Sequence, residues 1–163
     1  MTTTTVAESS WDAARQLLTT RLSGEADLPV IEQWYRSLGA ALAEIPDHGC
    51  FKILVDLHGF TAADLISHKA FRSMVPLTLA SYGWQVGYVQ LFEDEARQIT
   101  YTHRRGIRCV GAAHCHHDAT KITNYEARFG RAHERFFTDR AQAAAWIRHL
   151  PVAGGPDPAG PAG

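Results

Sequence analysis

The segment Phe51-Lys52-Ile53-Leu54-Val55-Asp56-Leu57-His58-Gly59-Phe60 decides the expected fold. It begins with a short apolar run that contains β-branched residues, and a glycine follows the run, a pattern typical of a buried strand. Amphipathic helical patterns lie on both sides of it. The segment is therefore predicted to form the central strand of an α/β sheet.

Helical periodicity is clearest in residues 27–45, where apolar side chains recur every three or four positions. Asp27 or Ser23 can cap the start of this helix, and Pro46 ends it. Similar patterns predict three further helices, over residues 68–82, 118–130 and 139–150. Pro76 should kink the first of these or mark its true beginning.

Four further segments are predicted to be strands: residues 17–22, 84–92, 107–113 and 134–137. Residues 107–113 also fit one side of a long helix that would continue to Phe129, and both interpretations stay open. The strand is favoured because Gly111 would cost about 1 kcal/mol inside a helix. Residues 93–106 are expected to form a turn or hairpin. The alternation of strands and helices predicts a single-domain α/β fold with a four- to five-stranded, mostly parallel sheet covered by helices.

The 163-residue chain is expected to form one domain over residues 11–150. Residues 1–10 and the Pro/Gly-rich residues 151–163 are predicted to be disordered tails. A net charge of -1 argues against nucleic-acid binding. No segment approaches the roughly 20 apolar residues of a transmembrane span, and the N-terminus lacks the features of a secretory signal. The three cysteines show no metal-binding or disulfide spacing, so we expect free thiols and a cytoplasmic location.

Several segments in this order resemble the SpoIIAA-like proteins of the STAS/SEC14-type superfamily. They are Leu18 to Gly24, a helix, the strand Lys52-Ile53-Leu54-Val55-Asp56-Leu57, a helix, the Phe-Phe strand and the closing Ala-Ala-Ala-Trp-Ile helix. The resemblance covers roughly residues 15–150. It implies a small α/β domain, often cytosolic, some of whose relatives are regulators that bind protein partners, while others have been compared with lipid-binding folds.

The chain departs from that family where the regulatory members carry a phosphorylatable serine. Their Asp-Ser-Ser-Gly-like turn follows the Val-Asp-Leu strand, whereas this chain has His58-Gly59-Phe60-Thr61-Ala62-Ala63-Asp64. Thr61 or Ser67 could substitute, but the motif itself is missing. The apparent extra segment around residues 93–106 is a second departure.

Ligands of a parallel sheet tend to bind beyond the carboxyl ends of its strands. His58 follows the central strand, and His114 lies at the end of the 107–113 segment. The residues predicted to bind a ligand at this edge are His58, Phe60, His68 and His114.

The cluster His114-Cys115-His116-His117-Asp118 suggests an alternative, a zinc or iron site. In an extended chain His114 and His116 share a side, and in a helix His114 shares a face with His117 or Asp118. A third ligand could come from His58, His68 or His133. The competing interpretation is that Asp118 caps a helix and the histidines are structural.

No nucleophile elbow, phosphate loop or dinucleotide fingerprint occurs in the sequence. The expected function is therefore a non-catalytic cytosolic binding or regulatory module for a protein partner or a small apolar ligand, without a cofactor. A homodimer is among the expected assemblies. The alternative is a small metal-dependent enzyme that uses the His114–Asp118 cluster.

Overall fold

The computed structural model describes residues 4–152. Its central strand, β3 (Cys50–Asp56), is buried along its whole length. β3 pairs in parallel with β2 (Leu17–Ala26) on one side and with β5 (Arg108–Cys115) on the other. The predicted position of the 51–60 segment in the interior of a parallel sheet is confirmed for residues 51–56, whereas residues 57–59 lie outside the strands and Phe60 begins another short strand.

Within the described residues the sheet has six strands, five of them in the order β1-β2-β3-β5-β6. β1 (Val6–Asp12) runs antiparallel to β2, and β6 (Glu134–Phe137) runs parallel to β5. The short β4 (Phe60–Ala62) pairs in parallel with the carboxyl end of β2, beyond the residues that pair with β3. The α/β class and the mostly parallel sheet are confirmed, although four or five strands were expected.

The prediction of a disordered tail over residues 1–10 is wrong for residues 6–10, which belong to β1. Ala7 and Trp11 pack against the core, and the Ser9 hydroxyl bonds to the Thr20 hydroxyl at 2.7 Å. The serines and threonines at the start of the chain obscure the alternation of apolar and polar residues that is typical of a strand. Hydrogen bonds rather than apolar contacts hold part of the inner face of β1. Residues 1–3 and 153–163 of the two predicted tails lie outside the described residues.

Helices cover both faces of the sheet. α1 (Leu28–Ala43) packs on β1 and β2, whereas α6 (Arg140–His149) packs on β3 and β5. Successive β3 side chains alternate between the two cores, with Ile53 and Val55 in one and Leu54 in the other. The expected caps are present at α1, α6 and α5 (Ala119–Phe129), where Asp27, Asp139 and Asp118 each accept a bond from a backbone N–H of the first turn. No helix within residues 4–152 is both long and apolar enough to cross a membrane.

The predicted helix over residues 68–82 consists of two short helices, α2 (Leu65–Arg72) and α3 (Met74–Ala80), which meet at Ser73. Pro76 lies in the first turn of α3, where its missing N–H costs nothing. Proline therefore marks the beginning of a helix here, one of the two expected outcomes.

The predicted strand over residues 84–92 is wrong. That segment contains a 3₁₀ helix, Gly87–Leu91, and buries Val86 and Val89 outside the sheet. Of the turn or hairpin expected within 93–106, the hairpin is wrong, because this stretch forms α4 (Glu93–Gln98) and a 3₁₀ turn, Arg104–Gly106. The apolar and aromatic side chains of residues 84–92 are typical of a strand. Here they belong to the crossover that connects β3 to β5 over one face of the sheet, and they pack outside the sheet. The 107–117 ambiguity resolves to a strand, β5.

Lys52 is the one inward-facing cation of β3. It is 3% exposed, and its Nζ donates to the carbonyl oxygens of Arg148 and Leu150, both at 2.9 Å. These carbonyls lie at the C-terminal end of α6, where backbone carbonyls have no hydrogen-bond donor within the helix. Burial lowers the pKa of the Lys52 ammonium. Lys52 thus fastens the last turn of α6 to the central strand.

We expect Lys52→Met to reduce the free energy of unfolding by about 1–2 kcal/mol. The loss of two charge-assisted hydrogen bonds is partly offset because no charge has to be desolvated. Urea unfolding measures the change, with Lys69→Met on the exposed side of α2 as the matched control. An unchanged or higher midpoint for Lys52→Met would contradict this role.

Candidate functional site

The carboxyl ends of β3 and β5 meet at one edge of the sheet. Asp56 pairs with Cys115, and the Leu57 N–H donates to the Cys115 carbonyl at 2.8 Å. His58 follows directly and is exposed. Its ring lies 5.8 Å from the ring of His117, centroid to centroid. The structure therefore brings His58 together with one histidine of the 114–118 cluster.

Gly59 links the loop after β3 to His117. Its φ of +89° is a left-handed conformation that a side chain would strain, and its N–H donates to His117 Nδ1 at 2.9 Å. The backbone bond fixes which ring nitrogen of His117 accepts and leaves the other available. The loop after β3 and the loop after β5 thus hold each other.

His116 stacks on His117 with ring centroids 4.3 Å apart. Its Nδ1 accepts a hydrogen bond from the Asp118 N–H at 3.0 Å. Burial lowers the pKa of His116 to about 4, and the neighbouring positive charge of Lys121 adds to the effect. His116 is therefore neutral at physiological pH and serves as a hydrogen-bond acceptor.

The predicted metal ligands do not come together. Asp118 accepts from the Lys121 N–H at the start of α5, and His114 points into the core. Within residues 4–152 no group of three histidine, cysteine or acidic side chains is arranged to hold a metal ion. The expectation that all these imidazoles share one edge is wrong for His114, because β5 continues to Cys115 and directs His114 into a separate buried cluster.

His114 pairs with Glu134 in that cluster. Its Nε2 lies 2.8 Å from Glu134 Oε2, and its ring stacks on Phe136 at 4.6 Å. Tyr88, from the 3₁₀ segment, meets the same imidazole edge-on at 5.6 Å. Glu134 is completely buried. The pair joins β5, β6 and the crossover.

Glu134 is held as a carboxylate despite its burial. Burial alone would raise its pKa, but the hydrogen bond from His114 and the charges of His114 and Arg131 outweigh that effect, and the net shift is downward. Its Oε1 accepts from the Gly87 N–H and from Arg131 Nη2, both at 3.0 Å. Both carboxylate oxygens are therefore occupied by protein donors, an arrangement typical of a structural ion pair.

Two other predicted ligand-binding residues lie apart from His58. Phe60 is 7% exposed and packs on Phe71, with ring centroids 4.7 Å apart. His68 is an exposed side chain of α2. Of the predicted set, only His58 and His68 therefore present polar atoms on the surface.

Asp56, the last residue of β3, positions the edge. Its Oδ2 accepts from Arg140 Nε at 2.8 Å, and its Oδ1 accepts from the His58 N–H at 3.1 Å. The second bond makes Asp56 a turn residue, the role typical of an aspartate at the end of an apolar strand. Asp56 and burial together raise the pKa of the Cys115 thiol to about 12, with burial the larger cause. Cys115 is a thiol rather than a nucleophilic thiolate at neutral pH.

The sequence reasoning missed two exposed apolar side chains in the first turn of α2. Leu65 and Ile66 are 68% and 69% exposed. They follow the cap Asp64, whose Oδ1 accepts from the Ser67 N–H at 2.7 Å. Two adjacent apolar residues immediately after a helix cap were a signal, since only one of them can face the core of an amphipathic helix.

No family model, curated protein or solved structure matches this chain. The site is therefore interpreted from its own geometry.

We expect Glu134→Gln to lower the free energy of unfolding by about 3 kcal/mol, because it removes the negative charge that compensates a buried imidazole and Arg131. Urea unfolding at neutral pH measures the loss. The matched control is Glu95→Gln, which removes a solvent-accessible partner of Arg72 and should lower the free energy of unfolding far less than Glu134→Gln does.

The difference between wild type and Glu134→Gln should depend on pH. A lowered folded-state pKa means that the stabilisation is present above the unfolded-state value and is lost as the pH falls through the folded-state value. The difference in the free energy of unfolding between the two proteins should therefore become smaller below the ordinary glutamate pKa of 4.5. A difference that stays constant down to acid unfolding would argue against an ionised Glu134.

Proposed function

We propose that this chain is a non-catalytic binding or regulatory module, of SpoIIAA-like architecture, that recognises a protein partner at the carboxyl edge of its sheet. The observation that carries the proposal is the exposure of Leu65 and Ile66 at the start of α2. Adjacent large apolar side chains that face solvent are typical of interaction surfaces. They project from a helix turn, a convex shape that suits a protein surface rather than a small enclosed ligand.

Exposed polar groups lie in the segment that leads to this turn and in the loop that it contacts. His58 and His117 are exposed at the end of β3 and β5, and β4 connects His58 to the start of α2. An apolar centre with polar neighbours is the usual composition of a protein interface. The donors and acceptors of the two imidazoles can set the orientation of a partner.

The start of α2 is also where the resemblance would place a phosphorylation switch. Ser67 is 1% exposed, so its hydroxyl is closed to a kinase in the folded protein. Asp64 already places a carboxylate at the helix N-terminus, the position that a phosphate would favour. We therefore propose recognition that does not depend on phosphorylation of Ser67.

The test is partner capture followed by measurement with the purified partner. The double variant Leu65→Ser/Ile66→Ser should weaken binding about 100-fold, because two exposed apolar contacts of roughly 1–2 kcal/mol each are lost. Surface plasmon resonance measures the change. The full-length chain should fold normally, since both side chains are exposed.

The matched control is Leu91→Ser/Tyr101→Ser, which removes two exposed large apolar side chains from other segments. It should bind like the wild type. Equal affinity of both double variants would overturn the assignment of this surface, and a wild-type chain that captures nothing specific would overturn the function. A homodimer that dissociates only in the Leu65/Ile66 variant would identify the partner as a second copy.

A second candidate function, binding of a small apolar ligand, is favoured by a groove between α1 and α3. The groove has a volume of about 510 Å³, in the range of small-molecule sites. Its apolar wall includes Tyr35, Leu38 and Leu77, and Arg104 lies at its border. It lies near the amino ends of β3 and β5, away from the edge that the sequence predicted.

Gly39→Leu tests this groove. Gly39 lines it, and a Cβ at this position would meet no other atom within 4 Å, so a leucine can fill the space without disturbing α1. Binding of the apolar probe ANS, followed by fluorescence, should weaken at least tenfold in Gly39→Leu. Unchanged ANS binding would rule out the groove as an apolar ligand site. Gly130→Leu would be unsuitable as a control, because the added Cβ would clash with Glu126. Ala40→Leu, at an exposed position of α1 outside the groove lining, is the matched control and should bind ANS like the wild type.

A further inference from the structure

A second concave surface lies at the amino end of β5, opposite the edge with His58. It is a cleft of about 570 Å³. Four chain segments form it: the turn after α3, the residue before the 104–106 turn, the first residues of β5 and the turn before β6. The sequence did not predict it, because these segments are separated in the chain.

Backbone hydrogen bonds hold these segments together. The Cys109 N–H donates to the Tyr82 carbonyl at 2.9 Å, and the Ala112 N–H donates to the His133 carbonyl at 2.9 Å. The Arg104 N–H donates to the Ser81 carbonyl at 2.8 Å. The walls of the cleft are therefore fixed by main-chain contacts and do not depend on a ligand for their position.

Four of the side chains that line the cleft are basic residues. Its lining includes Arg108, Arg131, His103 and His133, and no aspartate or glutamate belongs to that lining. Arg131 already donates to Glu134 and to the Gln85 carbonyl. The Arg108 backbone N–H donates to the Gly49 carbonyl, but the exposed guanidinium has no hydrogen-bond or ion-pair partner among the described residues, so its five N–H donors remain available.

Trp84 forms the aromatic wall of the cleft. The Arg131 guanidinium lies over its ring at 4.7 Å, which stiffens both side chains. On the opposite side, His103 packs directly on Gly83, where a Cβ would clash with His103 Nε2. Gly83 has a φ of +76°, so neither the turn nor the imidazole position tolerates another residue there.

We propose that this cleft binds the phosphate group of a small phosphorylated molecule. Arg108 is the principal phosphate ligand, because a guanidinium can donate two parallel hydrogen bonds to phosphate oxygens. His103 and His133 supply further donors, and Trp84 offers an apolar wall for the organic part of the ligand. The volume fits a small phosphorylated metabolite and is too limited for a macromolecular groove.

The charge balance favours an anion over other ligands. An unpaired arginine surrounded by imidazoles, without a carboxylate in the lining, produces a local positive potential on a chain whose net charge is only -1. A cation would be repelled by the positive charge. An apolar ligand would leave the N–H donors of the cleft without hydrogen-bond partners. The proposal is independent of the protein-partner surface at the carboxyl edge.

The experiment is a titration of the full-length chain with inorganic phosphate at constant ionic strength, followed by amide NMR. We expect saturable shifts confined to residues around Trp84, Arg108 and His133. Arg108→Met should weaken phosphate binding about tenfold or more, the equivalent of one charge-assisted hydrogen bond. His133→Gln should weaken it by a smaller factor.

Arg36→Met is the matched control, since Arg36 is an exposed arginine on α1. It should leave the phosphate affinity unchanged, and all three variants should keep the wild-type unfolding midpoint because the replaced side chains are exposed. Shifts spread over many surface cations, equal affinities of Arg108→Met and wild type, or an equal response to chloride would each overturn the proposal. Loss of partner binding in the Leu65/Ile66 variant has no bearing on this result.

Discussion

The burial of β3 on both faces is the constraint on which the rest of the structure depends. A strand in this position must place alternate side chains into two separate cores, and Ile53, Val55 and Leu54 do so. Each core then requires its own covering helices, α1 on one side and α6 on the other. Lys52 is compatible with this burial only because the last carbonyls of α6 accept its hydrogen bonds.

Parallel pairing on both sides of β3 gives the molecule two chemically different edges. At the carboxyl edge, Asp56 is paired with Arg140. His117 accepts a hydrogen bond from the backbone of Gly59, and its ring contacts the rings of His58 and His116. At the amino edge, Arg108 and its neighbouring imidazoles stand without a compensating carboxylate in the cleft. The first edge is polar with an apolar helix turn beside it, which suits a protein partner, and the second is cationic, which suits an anion.

The cluster at residues 114–118 illustrates how much of the site could be predicted. The residues were recognised as chemically rich, and the capping role of Asp118 was one of the two interpretations considered. What divides the cluster is the point at which β5 ends. His114 is still within the strand and is buried against Glu134, whereas His116 and His117 follow the strand and face the loop after β3. A slip of the β5 pairing register by one residue would have turned His114 to the opposite face of the sheet.

By itself, the sequence determined the α/β class, the central position of residues 51–56, and the caps at Asp27, Asp118 and Asp139, because apolar periodicity and capping are local properties. It could not determine that residues 84–92 form a crossover, that a serine- and threonine-rich start forms an edge strand, or that Glu134 meets His114. Those outcomes follow from tertiary contacts. A buried carboxylate is stable only where distant donors converge on it, and a cleft exists only where the ends of separate segments meet, so neither leaves a pattern in neighbouring residues.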